Sequence, residues 1–335
     1  MKIFFIENSL VEFDALDRHS NKLRGGETVL INLAENLALL NNEVHVFNNC
    51  NHLKKEINNV HWTDLKYLND EYFDKKCDVA ISQSDANNLK LVNSKKNYFI
   101  SHSIQSIEKF LRKKQLIPFI KYKPKVIVAS NYQYKLRSYP TSFNGKIQLS
   151  WAVDKMFYET LLNDEFVEKK AIFTTRPNRN LDRLLNIWKK DIYPQSKSSS
   201  LYINPPYEIK SDEKNVFLRT LGNQKNLLND LKSSRVMLVP GHKGEIFCLA
   251  AQEAAEMCVP IVTLGIGSLG ERVEHNKTGF IAKNDKEFAD YSISLLNDDD
   301  LWKKFRNNLI EKRGKVTWKV TANNLNKHLI NDQQN

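Results

Sequence analysis

Short apolar runs alternate with amphipathic segments along the chain. The runs are four to six residues long, a length and pattern typical of buried strands. They occupy residues 2–6, 43–47, 78–82, 97–101, 125–130, 170–175, 200–204, 215–218, 235–240 and 260–265. Amphipathic segments at 27–40, 180–190 and 317–332 predict helices. Strands that alternate with helices predict parallel sheets covered by helices on both faces.

The strand–helix pattern runs through the chain twice, with a restart near the middle. A length of 335 residues suits two domains of roughly 150 residues each. The sequence therefore predicts an α/β protein with two doubly wound Rossmann-like domains that face each other across a cleft. We place the first domain at residues 1–152 and the second at 153–316, and expect a last helix at 317–335 to pack back toward the first domain.

The charge and the cysteine content indicate which binding partners and which cellular compartment to expect. Lysine and arginine number 50 against 39 acidic residues, a formal net charge of +11. Such an excess makes nucleic acid, anionic lipid or a phosphorylated substrate reasonable partners, although lysine-rich solvated faces explain it equally well. The four cysteines form no zinc-binding pattern, so free thiols are expected. No apolar run resembles a signal peptide or a membrane span, which predicts a cytoplasmic protein.

The first candidate ligand loop contains Gly25 and Gly26, directly before the predicted helix at 27–40. It follows the first strand after a connection of 18 residues, and loops of that length are often functional. Paired glycines let the backbone approach a ligand closely, and a helix N-terminus favours a phosphate or a sugar oxygen. A tight turn is the alternative interpretation.

The second candidate is the stretch "GEIFCLAAQEAAEMCVPIV", which begins at Gly244. We expect a helix to start near Phe247, so that N–H groups around Cys248 and Leu249 can hold a diphosphate. Glu253 would then lie about 9 Å along the helix, within reach of a ribose. Glu245, in the preceding loop, would reach a sugar beyond the phosphates. The alternative is an alanine-rich helix with two solvated glutamates.

A third candidate is the basic segment at residues 108–125, which has seven lysines or arginines and one acid, interleaved with aromatic and aliphatic residues. Its first half contains Lys109, Arg112, Lys113 and Lys114. Such a segment can lie on an anionic membrane surface or face an anionic acceptor, and it can equally be a helix with a solvated basic face.

Several of these stretches together resemble one enzyme family. The segment "PGHKGEIFCLAAQEAAEMCVPIV" is similar to the E-x7-E signature of retaining glycosyltransferases with the two-domain GT-B fold, family 4, also called group 1. The segments "RGGETVLINLAENLALLNNEVHVF", "VIVASNYQYKLRSY", "IFTTRPNRNLDRLLNIW" and "SLGERVEHNKTGFI" resemble further family segments in the same order, and "LSWAVDKMFY" resembles the interdomain strand. The resemblance spans nearly the whole chain and is more specific in its C-terminal half.

The resemblance implies roles for the residues of the donor side. Glu245 matches the glutamate that contacts the donor sugar, and Glu253 matches the one that contacts the nucleotide ribose. The phosphate and sugar contacts at the helix start correspond to Phe247, Cys248 and Leu249.

Basic and first-domain residues also have counterparts in the family. Arg176 matches the basic residue at the donor diphosphate, and Arg179 falls close to the position of a second basic residue, usually lysine. Fixed cations there stabilise the charge that develops on the leaving group. Gly26 matches a glycine at the diphosphate, and His102 matches a histidine that faces the reacting sugar. A lone histidine is also commonly a structural residue.

Three residues depart from the family pattern at turns. Asn180, Cys258 and Ala152 stand where the family usually has glycine. They put local backbone geometry in doubt more than the ligand-binding groups.

The sequence and the resemblance together predict a retaining, metal-independent hexosyltransferase without a cofactor. It would transfer a sugar from a UDP- or GDP-sugar to a glycan or lipid-linked glycan acceptor in cell-envelope polysaccharide or lipopolysaccharide synthesis. The expected location is cytoplasmic, with peripheral contact to the inner face of an anionic membrane, and no specific nucleic acid is expected to bind. The alternatives are a nucleotide-sugar epimerase or phosphorylase with the same fold, or a non-enzymatic basic protein that binds nucleic acid.

Overall fold

The computed structural model describes residues 1–20, 22–68, 74–104, 106–162, 167–220, 222 and 224–334. The chain divides into two compact units. The first unit consists of Met1–Trp151 together with Trp318–Asn335, and the second unit consists of Ala152–Thr317.

An eight-stranded sheet forms the centre of the described part of the first unit. Its strands are β1 (Lys2–Ile6), β2 (Glu43–Asn48), β3 (Lys55–Ile57), β4 (Val60–Asp64), β5 (Lys76–Gln83), β6 (Asn93–Ile100), β7 (Lys125–Val128) and β8 (Lys146–Gln148). Their order is β3-β4-β2-β1-β5-β6-β7-β8, and every pair is parallel except β3 with β4. The chain builds the sheet outward in opposite directions from β1 and β5, so the topological switch point lies between these two strands.

Helices cover the sheet of the first unit because its strands are apolar on both faces. The helices are α1 (Gly25–Ala38), α2 (Ile107–Arg112), α3 (Leu116–Tyr122), α4 (Asn131–Leu136) and α11 (Trp318–Gln334). The last of them, α11, packs on α1 and buries Trp318, Ala322, Leu325 and Leu329.

Contacts at both ends attach α11 to the rest of the first unit. Trp318 lies against Trp151 with ring centroids 6.2 Å apart. Near the other end, Asp332 pairs with the Lys125 ammonium at 2.6 Å.

The described part of the second unit has a six-stranded, fully parallel sheet. Its strands are β9 (Lys170–Phe173), β10 (Ser200–Ile203), β11 (Val216–Leu218), β12 (Val236–Leu238), β13 (Ile261–Thr263) and β14 (Gly279–Ile281). The order is β11-β10-β9-β12-β13-β14, which places the switch point between β9 and β12. Its helices are α5 (Lys155–Glu159), α6 (Leu181–Ile187), α7 (Gln224–Lys232), α8 (Leu249–Glu256), α9 (Asp285–Asn297) and α10 (Asp299–Ile310).

All ten apolar runs of the sequence lie on strands of the two sheets, and the α/β fold with two parallel sheets is confirmed. Four strands are not among the predicted ones: β3, β4, β8 and β14. The expectation of an interdomain strand in "LSWAVDKMFY" is wrong, because residues 149–154 are irregular and α5 follows at Lys155. Asp154 caps α5 by accepting a hydrogen bond from the Met156 N–H at 2.9 Å.

Candidate functional site

The candidate residues of the second unit follow the carboxyl ends of β9 and β12, in the loops after these strands and in α8. Ligands of open α/β sheets bind at this edge, in the crevice beside the switch point. Arg176 and Arg179 lie in the loop after β9, and Glu245 lies in the loop after β12. The two strands on either side of the switch point therefore supply the basic and the acidic side chains.

An ion pair joins these two loops. The Glu245 carboxylate lies 3.1 Å from Arg179 Nε. Arg179 Nη1 donates to His242 Nδ1 at 2.8 Å, and the Gly244 N–H donates to the same nitrogen at 3.0 Å. Because both partners are donors, Nδ1 is an acceptor and the ring proton belongs on Nε2. His242 thus orients Arg179, and the isolated histidine in the sequence gave no indication of this role.

Burial raises the pKa of the Glu245 carboxyl above its ordinary value, although the charges of Arg179 and Arg176 act to lower it. Arg176 itself is exposed. It influences Glu245 through charge, and its side chain is available to a ligand. The predicted residues Glu245, Arg176 and Arg179 therefore lie together in one electrostatic cluster.

The helix after this loop starts later than expected. α8 begins at Leu249, and Cys248 precedes it with a left-handed backbone at φ 62°. The start near Phe247 is therefore wrong by two residues, because the left-handed Cys248 cannot belong to the helix. Phe247 and Cys248 are both buried, so their side chains are not available to a ligand. Phe247 packs under the Arg272 guanidinium, which lies 4.4 Å from the ring centroid.

Glu253 lies one turn into α8 and is partly exposed. No residue of the described chain donates a hydrogen bond to its carboxyl or pairs with it. Burial raises its pKa to about 7, and the charge of Arg219 offsets this only in part. A carboxyl in this condition has unused acceptor capacity at neutral pH, which suits recognition of hydroxyl groups.

The loop after β13 supports the loop that contains Glu245. The Ser268 N–H donates to the Glu245 carbonyl at 2.9 Å, and Gly241 and Ile266 form an isolated parallel β-bridge. At Gly267, with φ 76°, a side-chain carbon would lie 2.5 Å from the His242 carbonyl oxygen. Only glycine allows so close a contact, which brings the two loops together at the sheet edge.

Several polar atoms near this edge are buried without a hydrogen-bond partner within the described residues. They are Thr174 Oγ1, Thr175 Oγ1, Ser268 Oγ and Arg272 Nε. Buried polar atoms are nearly always paired, so a group of unpaired ones at this edge marks it as a candidate for ligand contact.

Two of the three departures from the family pattern fall at left-handed positions. Asn180 has φ 66° and Cys258 has φ 57°. Asparagine tolerates this region better than other non-glycine residues, and the Asn180 side chain also donates to the Gly241 carbonyl. Asn180 thereby keeps the backbone conformation of a glycine and adds a link between the β9 and β12 loops. Ala152 lies outside the residues with positive φ.

The candidate residues of the first unit meet at the other switch point. Gly25 and Gly26 begin α1, after the long connection from β1, and His102 follows β6. A side-chain carbon at Gly26 would lie 3.4 Å from Gln83 Nε2 and 3.6 Å from His102 Cδ2. Gln83, the last residue of β5, completes this group. Sequence reasoning missed it because only the strand order brings β5 beside β1.

Both polar side chains next to Gly26 have unused hydrogen-bonding atoms. Gln83 Oε1 and His102 Nε2 are buried and lack partners in the described chain. Burial lowers the pKa of His102 to about 4, so the imidazole is neutral at physiological pH. A neutral imidazole with a free nitrogen can orient a sugar hydroxyl by accepting or donating one hydrogen bond.

The basic segment forms the short helices α2 and α3. Arg112, Lys113 and Lys114 are exposed. Lys109 is only half-exposed, and its ammonium donates to Ser103 Oγ at 2.6 Å, so it does not extend into solvent with the others.

Within the described residues, no group of three or more His, Cys, Asp or Glu side chains is arranged to hold a metal ion. The triplet Asp298-Asp299-Asp300 has structural contacts: Asp298 caps α10 with two 3.0 Å hydrogen bonds, and Asp299 pairs with Arg235 at 2.6 Å. The four cysteines are unpaired and buried, and burial raises the pKa of each thiol. Among the helices of the described chain, none combines the length and apolar character needed to span a bilayer.

Part of the chain matches a known protein family. Residues 208–313 match the family described as glycosyl transferases group 1. The matched region includes Glu245, α8 and Glu253, and it lies within the second unit. No curated protein sequence matches the chain.

Solved structures resemble the chain over almost its whole length. Sucrose-phosphate synthase from Thermosynechococcus elongatus has a TM-score of 0.71 at 13% identity, with 98% of each chain covered. HepE from Anabaena, in complex with UDP-glucose, has a TM-score of 0.69 at 15% identity and covers 100% of this chain and 99% of its own. WaaG, a glycosyltransferase of lipopolysaccharide biosynthesis, has a TM-score of 0.68 at 9% identity, covering 96% of this chain and 98% of its own. The fold is that of the GT-B glycosyltransferases.

Proposed function

We propose that this chain is a retaining glycosyltransferase that moves a sugar from a nucleotide-diphosphate sugar to a glycan or lipid-linked glycan acceptor. The observation that carries the proposal is the Arg179–Glu245 ion pair at the switch point of the second sheet, four residues before α8 begins. Cations, a carboxylate and a helix N-terminus meet there, as a sugar diphosphate requires. The match of residues 208–313 to group 1 glycosyltransferases supports the same class.

The nucleotide-diphosphate sugar would be bound by groups of complementary charge and hydrogen-bonding capacity. Arg176, Arg179 and the first N–H groups of α8 offer positive charge and hydrogen bonds to the diphosphate. Glu253, with its unpaired carboxyl, would accept hydrogen bonds from the ribose, and Glu245 from the transferred sugar. The Anabaena neighbour is described with UDP-glucose bound. On that basis we infer a UDP- or GDP-sugar as the donor.

Catalysis would rest mainly on stabilising the leaving group. As the glycosidic bond breaks, negative charge collects on the diphosphate, and fixed cations stabilise it without reorganisation. Arg179 is already oriented by His242 and Glu245. We assign no protein nucleophile: Glu245 is engaged by Arg179, and the Cys248 thiol is buried with a raised pKa. The leaving phosphate itself would help to deprotonate the acceptor, and no metal ion or cofactor is invoked.

We further infer that the first unit binds the acceptor. Gly26, His102 and Gln83 form a polar group whose unpaired atoms can receive hydroxyls. WaaG is described as acting in lipopolysaccharide biosynthesis, and we infer a role in cell-envelope polysaccharide or lipopolysaccharide synthesis for this chain.

We also propose that the protein works at the inner face of a membrane, in contact with anionic lipid through α2 and α3. Leu111, Ile117 and Ile120 are 58%, 79% and 52% exposed, beside the exposed cations Arg112, Lys113 and Lys114. Exposed aliphatic side chains among cations suit the interface of an anionic bilayer.

The activity proposal is tested by donor screening followed by mutation. Stabilisation against heat by UDP-, GDP- and ADP-sugars would identify the donor, and transfer would be measured with glycan extracts as acceptors. We expect Glu245→Ala to lower kcat by about 10²–10³-fold, a typical effect of removing one electrostatic contact in an active site. Glu253→Ala is expected chiefly to weaken binding of the free nucleotide diphosphate, measured by calorimetry.

The exposed Glu311, on the same unit, gives the matched control Glu311→Ala, which should behave as wild type. Full transfer activity in Glu245→Ala would remove this residue from the mechanism. Release of free nucleotide without glycan extension would favour an epimerase or phosphorylase. Binding of nucleic acid that persists at physiological salt would favour the non-enzymatic alternative.

The membrane proposal is tested by co-sedimentation with phosphatidylglycerol vesicles. We expect Leu111→Ser/Ile117→Ser and Arg112→Gln/Lys113→Gln/Lys114→Asn each to reduce binding several-fold, because burial of aliphatic side chains and attraction of cations both contribute. Leu39→Ser/Leu53→Ser is the control, since Leu39 and Leu53 are exposed elsewhere on the first unit. Wild-type binding by the charge-neutralised variant would contradict the proposal.

A further inference from the structure

A polar cavity lies in the first unit, on the opposite edge of the sheet from Gly26 and His102. Its volume is about 500 Å³. It is lined at the start of β6 by Lys95 and Lys96, and after α3 by Lys123 and Lys125. Pockets of this size hold small organic ligands, so the space exceeds that of a single inorganic ion.

The charges around the cavity do not balance. Asp332 is the carboxylate among the lining residues, and it is occupied by Lys125 at 2.6 Å and by the Tyr98 hydroxyl. Lys95 pairs with Asp78, which lies outside the lining, at 2.7 Å. Lys96 and Lys123 have no ion pair or hydrogen bond from their ammonium groups to any described residue.

Two unpaired ammonium groups in one concave site create a positive potential that favours an anion. The contacts of Asp332 with Lys125 and Tyr98 do not remove this positive potential. The pKa of Asp332 lies below its ordinary value: burial acts to raise it, but the hydrogen bonds from Lys125 and Tyr98 and the charges of Lys125 and Lys96 outweigh that effect. Asp332 therefore stays ionised and holds Lys125 in place at the cavity wall.

We propose that this lysine cavity, lined by Lys95, Lys96, Lys123 and Lys125, binds a phosphate-bearing ligand through Lys96 and Lys123. Phosphate accepts several hydrogen bonds from ammonium donors at once, and it carries the charge that the cavity lacks. The phosphate belongs either to a lipid headgroup or to a soluble phosphorylated compound.

The position of the cavity separates it from the candidate active site. Lys96 and His102 are six residues apart on and after β6, a distance of about 20 Å along an extended strand. A ligand in the lysine cavity cannot be the reacting group beside His102. The cavity is therefore a docking or regulatory site, and its existence does not depend on the proposed transferase activity.

The test compares two doubly substituted proteins of equal charge. Lys96→Gln/Lys123→Asn removes both unpaired cations; asparagine is chosen because Lys123 has a left-handed backbone at φ 44°. Lys54→Gln/Lys90→Gln is the control, since both of these lysines are exposed on the same unit and lie outside the cavity lining. Thermal unfolding establishes that both variants are folded. If the Lys96→Gln/Lys123→Asn variant is not folded, the single variant Lys123→Asn replaces it.

Binding of pyrophosphate is measured by calorimetry in an Arg176→Ala/Arg179→Ala background, so that the candidate donor site does not contribute. We expect the cavity variant to weaken binding about tenfold or more, as loss of charge-assisted hydrogen bonds implies, and the control to leave it unchanged. Equal affinity in both variants, or no pyrophosphate binding to the starting protein, would overturn the proposal.

A parallel arm distinguishes the source of the phosphate. Vesicles of phosphatidic acid are compared with phosphatidylcholine vesicles for binding to the same two variants. If the cavity variant has lost pyrophosphate binding, a loss of phosphatidic acid binding confined to that variant assigns the site to a lipid headgroup. A loss of pyrophosphate binding without a change in vesicle binding assigns it to a soluble compound. Both results support the cavity as a phosphate site.

Discussion

Glu253 and His102 are partly exposed titratable side chains, and each has at least one polar atom without a hydrogen-bonding partner in the described chain. Desolvation raises the pKa of Glu253 to about 7 and lowers that of His102 to about 4. Both shifts favour the neutral form, and both residues lie at sheet edges where ligands of this fold class bind. Titratable side chains that have a shifted pKa and no partner within the protein are candidates for ligand contact.

The effect of Glu253 on stability should depend on pH. Its folded pKa of about 7 exceeds the ordinary 4.5, so its contribution is fully favourable below pH 4.5 and is lost as pH rises through 7. We expect Glu253→Gln to stabilise the second unit at pH 8, by up to about 3 kcal/mol, and to have little effect at pH 4.5. Urea unfolding at the two pH values measures the difference.

The exposed Glu311 on the same unit provides the control Glu311→Gln, which should show no such pH-dependent gain. Equal stability of Glu253→Gln and the wild type at pH 8 would mean that the Glu253 carboxyl is solvated and that its pKa is not raised.

Single residues of the site were accessible from the sequence only where a pattern marked them. Glu245 and Arg179 were predicted because each follows an apolar run and fits a family motif, and the structure brings them to 3.1 Å. His242 and Gln83 carry no such pattern. Their importance arises from strand order and from hydrogen bonds that form only when distant segments meet.

At the scale of elements, loops between strands and helices determine the geometry of the site. Apolar runs identified ten strands, whereas β3, β4, β8 and β14 are three to five residues long and were missed. The segments "KEI" and "KIQ" each contain a single apolar residue, too few to form a recognisable pattern. The start of α8 was misplaced because a left-handed cysteine gives no warning in the sequence.

Asn180 is the residue that links the β9 and β12 loops. We expect Asn180→Ala to lower the free energy of unfolding by about 1–3 kcal/mol, because alanine is strained at φ 66° and cannot donate to the Gly241 carbonyl. Asn180→Gly removes the strain and should cost less. The two variants are compared by urea unfolding. A larger loss in the glycine variant would contradict this assignment.

At the scale of the whole molecule, α11 belongs to the first unit although it follows the second unit in the chain. It buries Leu325 completely, while Ile330 on the same helix is 41% exposed. We expect Leu325→Ala to destabilise the first unit by about 2–4 kcal/mol through the cavity it creates. Ile330→Ala is the control and should stay within about 0.5 kcal/mol of wild type.

The measurement is differential scanning calorimetry, because two units need not unfold in one transition. The variant should shift only the transition of the first unit. A shift in neither transition, or the same shift in both variants, would show that α11 contributes little to the packing of this unit.

The order of segments also has a consequence for biosynthesis. Residues 152–317 emerge from the ribosome before Trp318–Gln334 is translated, so the inserted unit can complete its own core first. The rest of the first unit is made earlier, and the α11-facing side of α1 stays uncovered until Trp318–Gln334 has been made. Chaperones that recognise apolar surface on nascent chains should therefore bind that side of α1 and dissociate when α11 packs against it.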